Sequence, residues 1–139
     1  MNRQTDTPEP PRARILIVDE IPSVRGVLGE ILVRHGYGVD LAGSAREALL
    51  LAQTGRWDAV VIDPGLPDMN GVELYTRLHR DSGRECLPVI FVSGYSEQML
   101  LQALQRAPRA SLLAKPFSVL RFLGTLERCL RDADGREAK

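Results

Sequence analysis

Short runs of branched apolar residues alternate along the chain with longer stretches whose apolar positions recur every three or four residues. The runs are RILIV (14–18), the weaker YGVDLA (37–42), AVVI (59–62), PVIFVSG (88–94) and SLLAKP (111–116). The third and fourth are apolar without alternation, as expected of strands covered on both faces. Between them lie five predicted helices. The first, SVRGVLGEILVRHG, places Val24, Val27, Leu28, Ile31 and Leu32 at helical spacing and stops at Gly36. The second, SAREALLLAQTG, opens with Ser44 and Glu47 in capping-box spacing and ends before Gly55. The third, GVELYTRLHRD, has Val72, Leu74, Tyr75 and Leu78 as its apolar positions. The fourth is SEQMLLQALQRA (96–107), and the fifth is SVLRFLGTLERCLRD (118–132).

Strand followed by helix, five times over, predicts an α/β fold with a parallel sheet and helices on both faces. Residues 13–131 are expected to form this domain. The polar, proline-rich residues 1–12 and the stretch 132–139 are expected to be tails. At 44% apolar and 26% charged residues the composition is that of a globular domain. The formal net charge of zero gives no general pull toward nucleic acid or an anionic membrane. The N-terminus lacks the apolar core of a secretory signal, and no run is long enough to span a bilayer. A cytoplasmic location without membrane or nucleic-acid contacts is therefore expected. Cys86 and Cys129 form no CxxC pair and are expected to be free thiols. His35 and His79 fall near helix ends, where surface or capping roles are expected.

In an open α/β sheet, ligands bind outside the carboxyl ends of the strands. The first strand is followed by Asp19 and Glu20, the third by Asp63, the fourth by Ser93 and Gly94, and the fifth by Lys115 and Pro116. The second offers only Gly43 and Ser44, assigned to the helix cap. Taken alone, Asp63 is equally well explained as a turn former, because Asp accepts a hydrogen bond from the backbone two residues on. Taken together, the residues bring three carboxylates, a hydroxyl and an ammonium to one edge. Clustered carboxylates repel unless a cation or protons relieve them. An all-oxygen donor set favours Mg²⁺ over zinc or copper. A lysine and a serine hydroxyl suit a phosphoryl group. Lys115 carries extra weight because Lys139, the last residue, is the only other lysine, while arginine serves the surface elsewhere.

The motifs ILIVDE, VVIDPGLPDMNG, PVIFVSG and AKPF, in this order and each at a strand end, resemble the receiver domain of bacterial two-component response regulators. The resemblance implies a flavodoxin-like, doubly wound five-stranded parallel sheet of order 2-1-3-4-5 with five helices. It implies that Asp63 is the phosphoacceptor, taking a phosphoryl group from a histidine kinase or a histidine phosphotransfer protein. Asp19, Glu20, Asp63 and the Gly65 backbone carbonyl would hold Mg²⁺, with Glu20 ligating directly and Asp19 through water. Ser93 would bond a phosphoryl oxygen, Lys115 would pair with the phosphoryl group, and the peptide before Pro116 would be cis. The protein would be a regulatory phosphoprotein rather than an enzyme, a monomer or weak dimer. It would signal through the face formed by the fourth helix, fifth strand and fifth helix.

Three departures from the family pattern stand out. Glu20 is one methylene longer than the commoner Asp. Pro64 has no N–H to offer a phosphoryl group, leaving amides such as those of Gly65 and Gly94. Leu112 stands where many receivers carry a switching aromatic, so a smaller rearrangement is expected, with Tyr95 as a substitute mobile ring. Competing readings are a phosphorylation-independent interaction module of the same fold and the receiver segment of a hybrid sensor kinase. A haloacid-dehalogenase-like phosphatase is disfavoured, since it would need an Asp where Gly65 stands. No DNA-binding segment follows the fifth predicted helix, so output is expected through protein contacts.

Overall fold

The computed structural model describes residues 12–94, 101, 102, 105 and 110–137. Among these, five strands and four helices follow in chain order: β1 (Arg14–Val18), α1 (Pro22–Arg34), β2 (Gly38–Ala42), α2 (Ala45–Leu51), β3 (Ala59–Ile62), α3 (Gly71–Ser82), β4 (Val89–Ser93), β5 (Ser111–Ala114) and α4 (Val119–Glu137). All neighbouring strands pair in parallel, in the order β2-β1-β3-β4-β5. The sheet and its order match the expectation. The predicted helix over 96–107 lies almost wholly outside the described residues, as does Tyr95; residues 101, 102 and 105 are helical and exposed.

The continuous apolar strands supply two cores by simple alternation. Leu16, Val18, Val60, Ile62, Val89 and Phe91 face one way, against Ala45 and Ala48 of α2 and Leu74 and Leu78 of α3. Ile15, Ile17, Val61, Ile90, Val92 and Leu113 face the other, against Leu28 and Leu32 of α1 and Phe122 and Leu126 of α4. A charged residue at an interior position of β1, β3 or β4 would therefore be buried among apolar side chains, whereas Asp40, inside the edge strand β2, is half-buried beside Arg14 and Trp57. The polar site residues can occur only where the strands end.

The helix ends are set locally. Pro22 opens α1, where its missing N–H costs nothing. Ser44 caps α2 by accepting from the Glu47 N–H. Asn70 caps α3 at Val72, and Gly83 at φ +70° closes it in the left-handed region. The expected capping box is present in altered form, because the Glu47 carboxylate reaches back to the Gly43 N–H rather than to that of Ser44. At the other end of the chain, α4 continues to Glu137 through residues expected to be a tail. Ala133, buried against the domain, prolongs the apolar face of that helix beyond residue 132.

Candidate functional site

The register of β1 against β3 builds the site. Val18 pairs with Ile62, so Asp19 and Asp63 leave adjacent strands at the same level, with chains about 4.8 Å apart. Strand order reverses here, with β2 on one side of β1 and β3 on the other, which is the switch point where open sheets form a crevice. Both backbones are fixed: Asp19 N–H donates to the Ala42 carbonyl and Asp63 N–H to the Val18 carbonyl. Asp19 is 2% exposed and Asp63 6%.

Each carboxylate divides its two oxygens in the same way. Asp19 Oδ1 accepts the Ile21 N–H at 2.9 Å, and Asp63 Oδ1 accepts the Gly65 N–H at 2.8 Å. These are the turns that Asp forms with the backbone two residues on. Asp19 Oδ2 and Asp63 Oδ2 both face Lys115 Nζ, at 3.2 and 3.4 Å. The turn-forming reading of Asp63 is thus realised on one oxygen, while the other oxygen faces the Lys115 ammonium. Lys115 follows β5, two strands from β3, a gap of roughly 10 Å that its long aliphatic stem crosses. Its N–H donates to the Ser93 carbonyl, and the Lys115–Pro116 peptide is cis. Ser93 is fully buried at the end of β4.

Glu20 is placed differently. It is exposed, and among the described residues it makes no hydrogen bond or ion pair. No group of three His, Cys, Asp or Glu side chains able to hold a metal is drawn together among the described residues. The donors present still suit Mg²⁺: Asp19 and Asp63 offer only oxygen, and Mg²⁺ keeps several waters rather than requiring a full protein cage. The two buried carboxylates against one ammonium leave one net negative charge, a setting that favours a divalent cation.

Close packing keeps the loop after Asp63 tight. The Gly71 N–H donates to the Pro64 carbonyl, and a Cβ on Gly71 would lie 2.5 Å from the Pro64 Cα. Two residues that the sequence reading left without a role also touch the loops. Arg25 Nη1 donates to the Asp19 carbonyl at 2.7 Å. Asp68 accepts the Ala45 N–H on Oδ1 at 3.0 Å and the Arg46 N–H on Oδ2 at 2.9 Å, and these backbone donors hold its carboxyl below the usual range. The sequence signals only that an acceptor is needed there, since Ser44 caps the third amide of α2 and leaves the first two open; it does not point to Asp68. Beside the site, an apolar groove of ≈440 Å³ runs between α1 and the start of α4, lined by Val24, Val27, Leu28, Ile31, Phe117 and Val119, and reaches Lys115. A smaller cavity of ≈290 Å³ lies at the opposite end of the sheet, around Arg14, Trp57 and Arg84, away from the carboxylates.

The family model described as the response regulator receiver domain matches residues 15–127. The chain belongs to the response regulator receiver domain family. The receiver is 36% identical over 118 residues to the response regulator MprA of Mycolicibacterium vanbaalenii, an alignment covering 85% of this chain and 50% of that protein. The chain thus spans about half the length of that relative. Among solved structures, the chemotaxis response regulator CheY4 of Vibrio cholerae matches with a TM-score of 0.76 and 30% identity, covering 84% of this chain and 98% of that one. The response regulator TrrA of Thermotoga maritima, solved in complex with Mg²⁺-BeF, matches with a TM-score of 0.72 and 26% identity, covering 84% of this chain and 97% of that one. Receiver domains are regulatory parts of two-component systems rather than conventional enzymes. No helix among the described residues is long and apolar enough to cross a membrane.

The remaining sequence expectations concern packing. Cys86 is buried and Cys129 half-buried, and neither takes part in a disulfide among the described residues. His35 sits at the C-terminus of α1, with Nδ1 at 2.8 Å from the Ile31 carbonyl. His79 stacks on Tyr75. Leu112 is half-buried against the Phe91 side of the sheet.

Proposed function

We propose that the receiver accepts a phosphoryl group on Asp63 from a phosphohistidine of a histidine kinase or phosphotransfer protein. A carboxylate oxygen of Asp63 attacks phosphorus, the P–N bond to the imidazole breaks, and the imidazole leaves with the bonding electron pair. The product is an acyl phosphate on Asp63. The observation that carries this reading is the pair of buried carboxylates, Asp19 and Asp63, converging through Oδ2 on one lysine at the switch point of the sheet. Such a site works by positioning and charge balance rather than by general acid–base chemistry.

Asp19, Glu20, Asp63 and the Gly65 carbonyl are the residues assigned to Mg²⁺. When bound, the ion would offset the charge of the carboxylates and of the incoming phosphoryl oxygens. Lys115 then pairs with the phosphoryl group and Ser93 bonds one of its oxygens. The apolar groove on α1 that reaches Lys115 suits a helical face of the donor, which must bring its histidine to the same edge. Signal leaves through the face of the predicted fourth helix, β5 and α4, where Leu101 and Leu120 stand exposed. Cytoplasmic action and output through protein contacts complete the reading.

Incubating the full chain with Mg²⁺ and a small acyl phosphate tests it by intact mass. The wild type should gain one phosphoryl group and Asp63→Asn none. Equal labelling of the two proteins would refute Asp63 as the acceptor. An unlabelled wild type would favour an interaction module that works without phosphorylation.

A further inference from the structure

The turn between β2 and α2 contributes no side chain to the carboxylate cluster, yet it touches the loops on either side of it. On one side stands Arg25. Its Nη1 holds the Asp19 carbonyl, and the same nitrogen lies so close to Gly43 that a Cβ there would come within 2.8 Å of it. On the other side stands Asp68, in the loop that follows Asp63, with both oxygens on the first two amides of α2. Between them the turn is held internally by Glu47 on the Gly43 N–H and by Ser44 on the Glu47 N–H. Asp19 is also tied directly to β2 through the Ala42 carbonyl. The loop bearing Asp63 is thus bonded to the start of α2 through Asp68. The loop bearing Asp19 is bonded to the end of β2 and packed against the turn through Arg25, which makes no hydrogen bond to Gly43.

We propose that Arg25 and Asp68 are positioning residues that use the β2–α2 turn as a brace, fixing the Asp19 and Asp63 loops at the spacing that binds Mg²⁺. The proposal rests on the Mg²⁺-dependent phosphoacceptor reading above. It makes a prediction opposite in sign to simple electrostatics. As a bare cation beside an acidic site, Arg25 repels Mg²⁺, and its removal would tighten binding. As a brace, its removal lets the Asp19 loop relax and weakens binding. Outer groups that orient metal ligands typically change metal affinity by about tenfold or more.

The test titrates Mg²⁺ into the full chain, followed by melting temperature and by the rate of labelling with a small acyl phosphate. Arg25→Ala and Asp68→Ala should each raise the half-saturating Mg²⁺ concentration about tenfold. Asp68→Asn, which keeps one acceptor oxygen, should fall between Asp68→Ala and the wild type. Because Asp68 is an exposed anion, its field is screened at high salt, whereas a geometric effect persists there. Ser44→Ala removes the local cap of α2 but neither tie. It should lower the melting temperature while leaving the Mg²⁺ midpoint at the wild-type value. Tighter or unchanged Mg²⁺ binding in Arg25→Ala overturns the brace, as does a Ser44→Ala midpoint shifted as far as that of Asp68→Ala. If the wild type takes no label but the Mg²⁺ midpoints of the wild type and variants, read from melting temperature, fall in the expected order, the phosphoacceptor reading fails and the brace stands.

Discussion

Replacing Lys115 with Met keeps the aliphatic stem and removes the one charge shared by Asp19 and Asp63. The two Oδ2 atoms lie 3.2 and 3.4 Å from the same nitrogen, and so within about 6.6 Å of each other. At that distance and an effective dielectric of about 20, two unit charges repel by about 2.5 kcal/mol. Each acid also loses an ionic partner, although each keeps its backbone donor on Oδ1. Removing one partner of a buried ion pair costs about 3–5 kcal/mol. Lys115 is partly exposed, which brings the expected loss below that range, to about 2–3 kcal/mol at neutral pH. Urea unfolding with and without Mg²⁺ measures it. Mg²⁺ should stabilise Lys115→Met more than the wild type, because the cation no longer meets a resident ammonium. Adding Asp63→Asn to Lys115→Met should restore most of the loss, since one of the two opposed charges is gone. Refutation would be a Lys115→Met protein as stable as the wild type with the same response to Mg²⁺. The acids would then be held by their turns alone.

Lys115→Arg should keep stability near that of the wild type yet label slowly, because a planar guanidinium cannot replace a compact ammonium between two acids and a phosphoryl group; equal labelling rates would show that charge alone matters. Gly71→Ala should destabilise the fold by about 1–3 kcal/mol and slow labelling, because its methyl would meet the Pro64 backbone behind the acceptor; a neutral result in both assays would mean that the loop yields freely. Burial alone would raise the Asp40 carboxyl, but hydrogen bonds from Arg14 and the Trp57 indole hold it below its usual range. Its contribution to stability is therefore full above the unfolded value and is lost as the pH falls below about 4. Asp40→Asn should flatten the acid limb of a stability–pH curve, and an unchanged limb would count against this assignment.

The sheet was legible because its strands are too apolar to be anything but covered on both sides, and because each ends in a polar residue. Asp19, Asp63, Ser93 and Lys115 could be placed on one edge from the order of elements alone. The convergence of both acids on Lys115 follows from register and a long side chain. What stayed hidden depends on contacts between loops distant in sequence. Nothing near Asp68 indicates that its partners are the amides of residues 45 and 46. Nothing near Gly71 shows that the Pro64 backbone lies where its side chain would be. Glu20 shows the converse. The sequence pairs it with Asp19, but only Asp19 sits over the sheet against Lys115, while its neighbour lies exposed beyond the strand end. The run of α4 past residue 132 was missed because a stretch rich in charge with a glycine resembles a tail, and the burial of Ala133 that anchors it is a tertiary event.

Lys115 gives this receiver an internal counter-ion. Asp19 and Asp63 are buried together with an ammonium that reaches them from the end of β5. In the proposed reaction, a divalent ion taking over that balancing role would free the ammonium to meet a phosphoryl group at the same edge. One positive charge would then serve the fold and the signalling step in turn. With Oδ1 of each acid on its own backbone N–H, such an exchange would leave the carboxylates where they are.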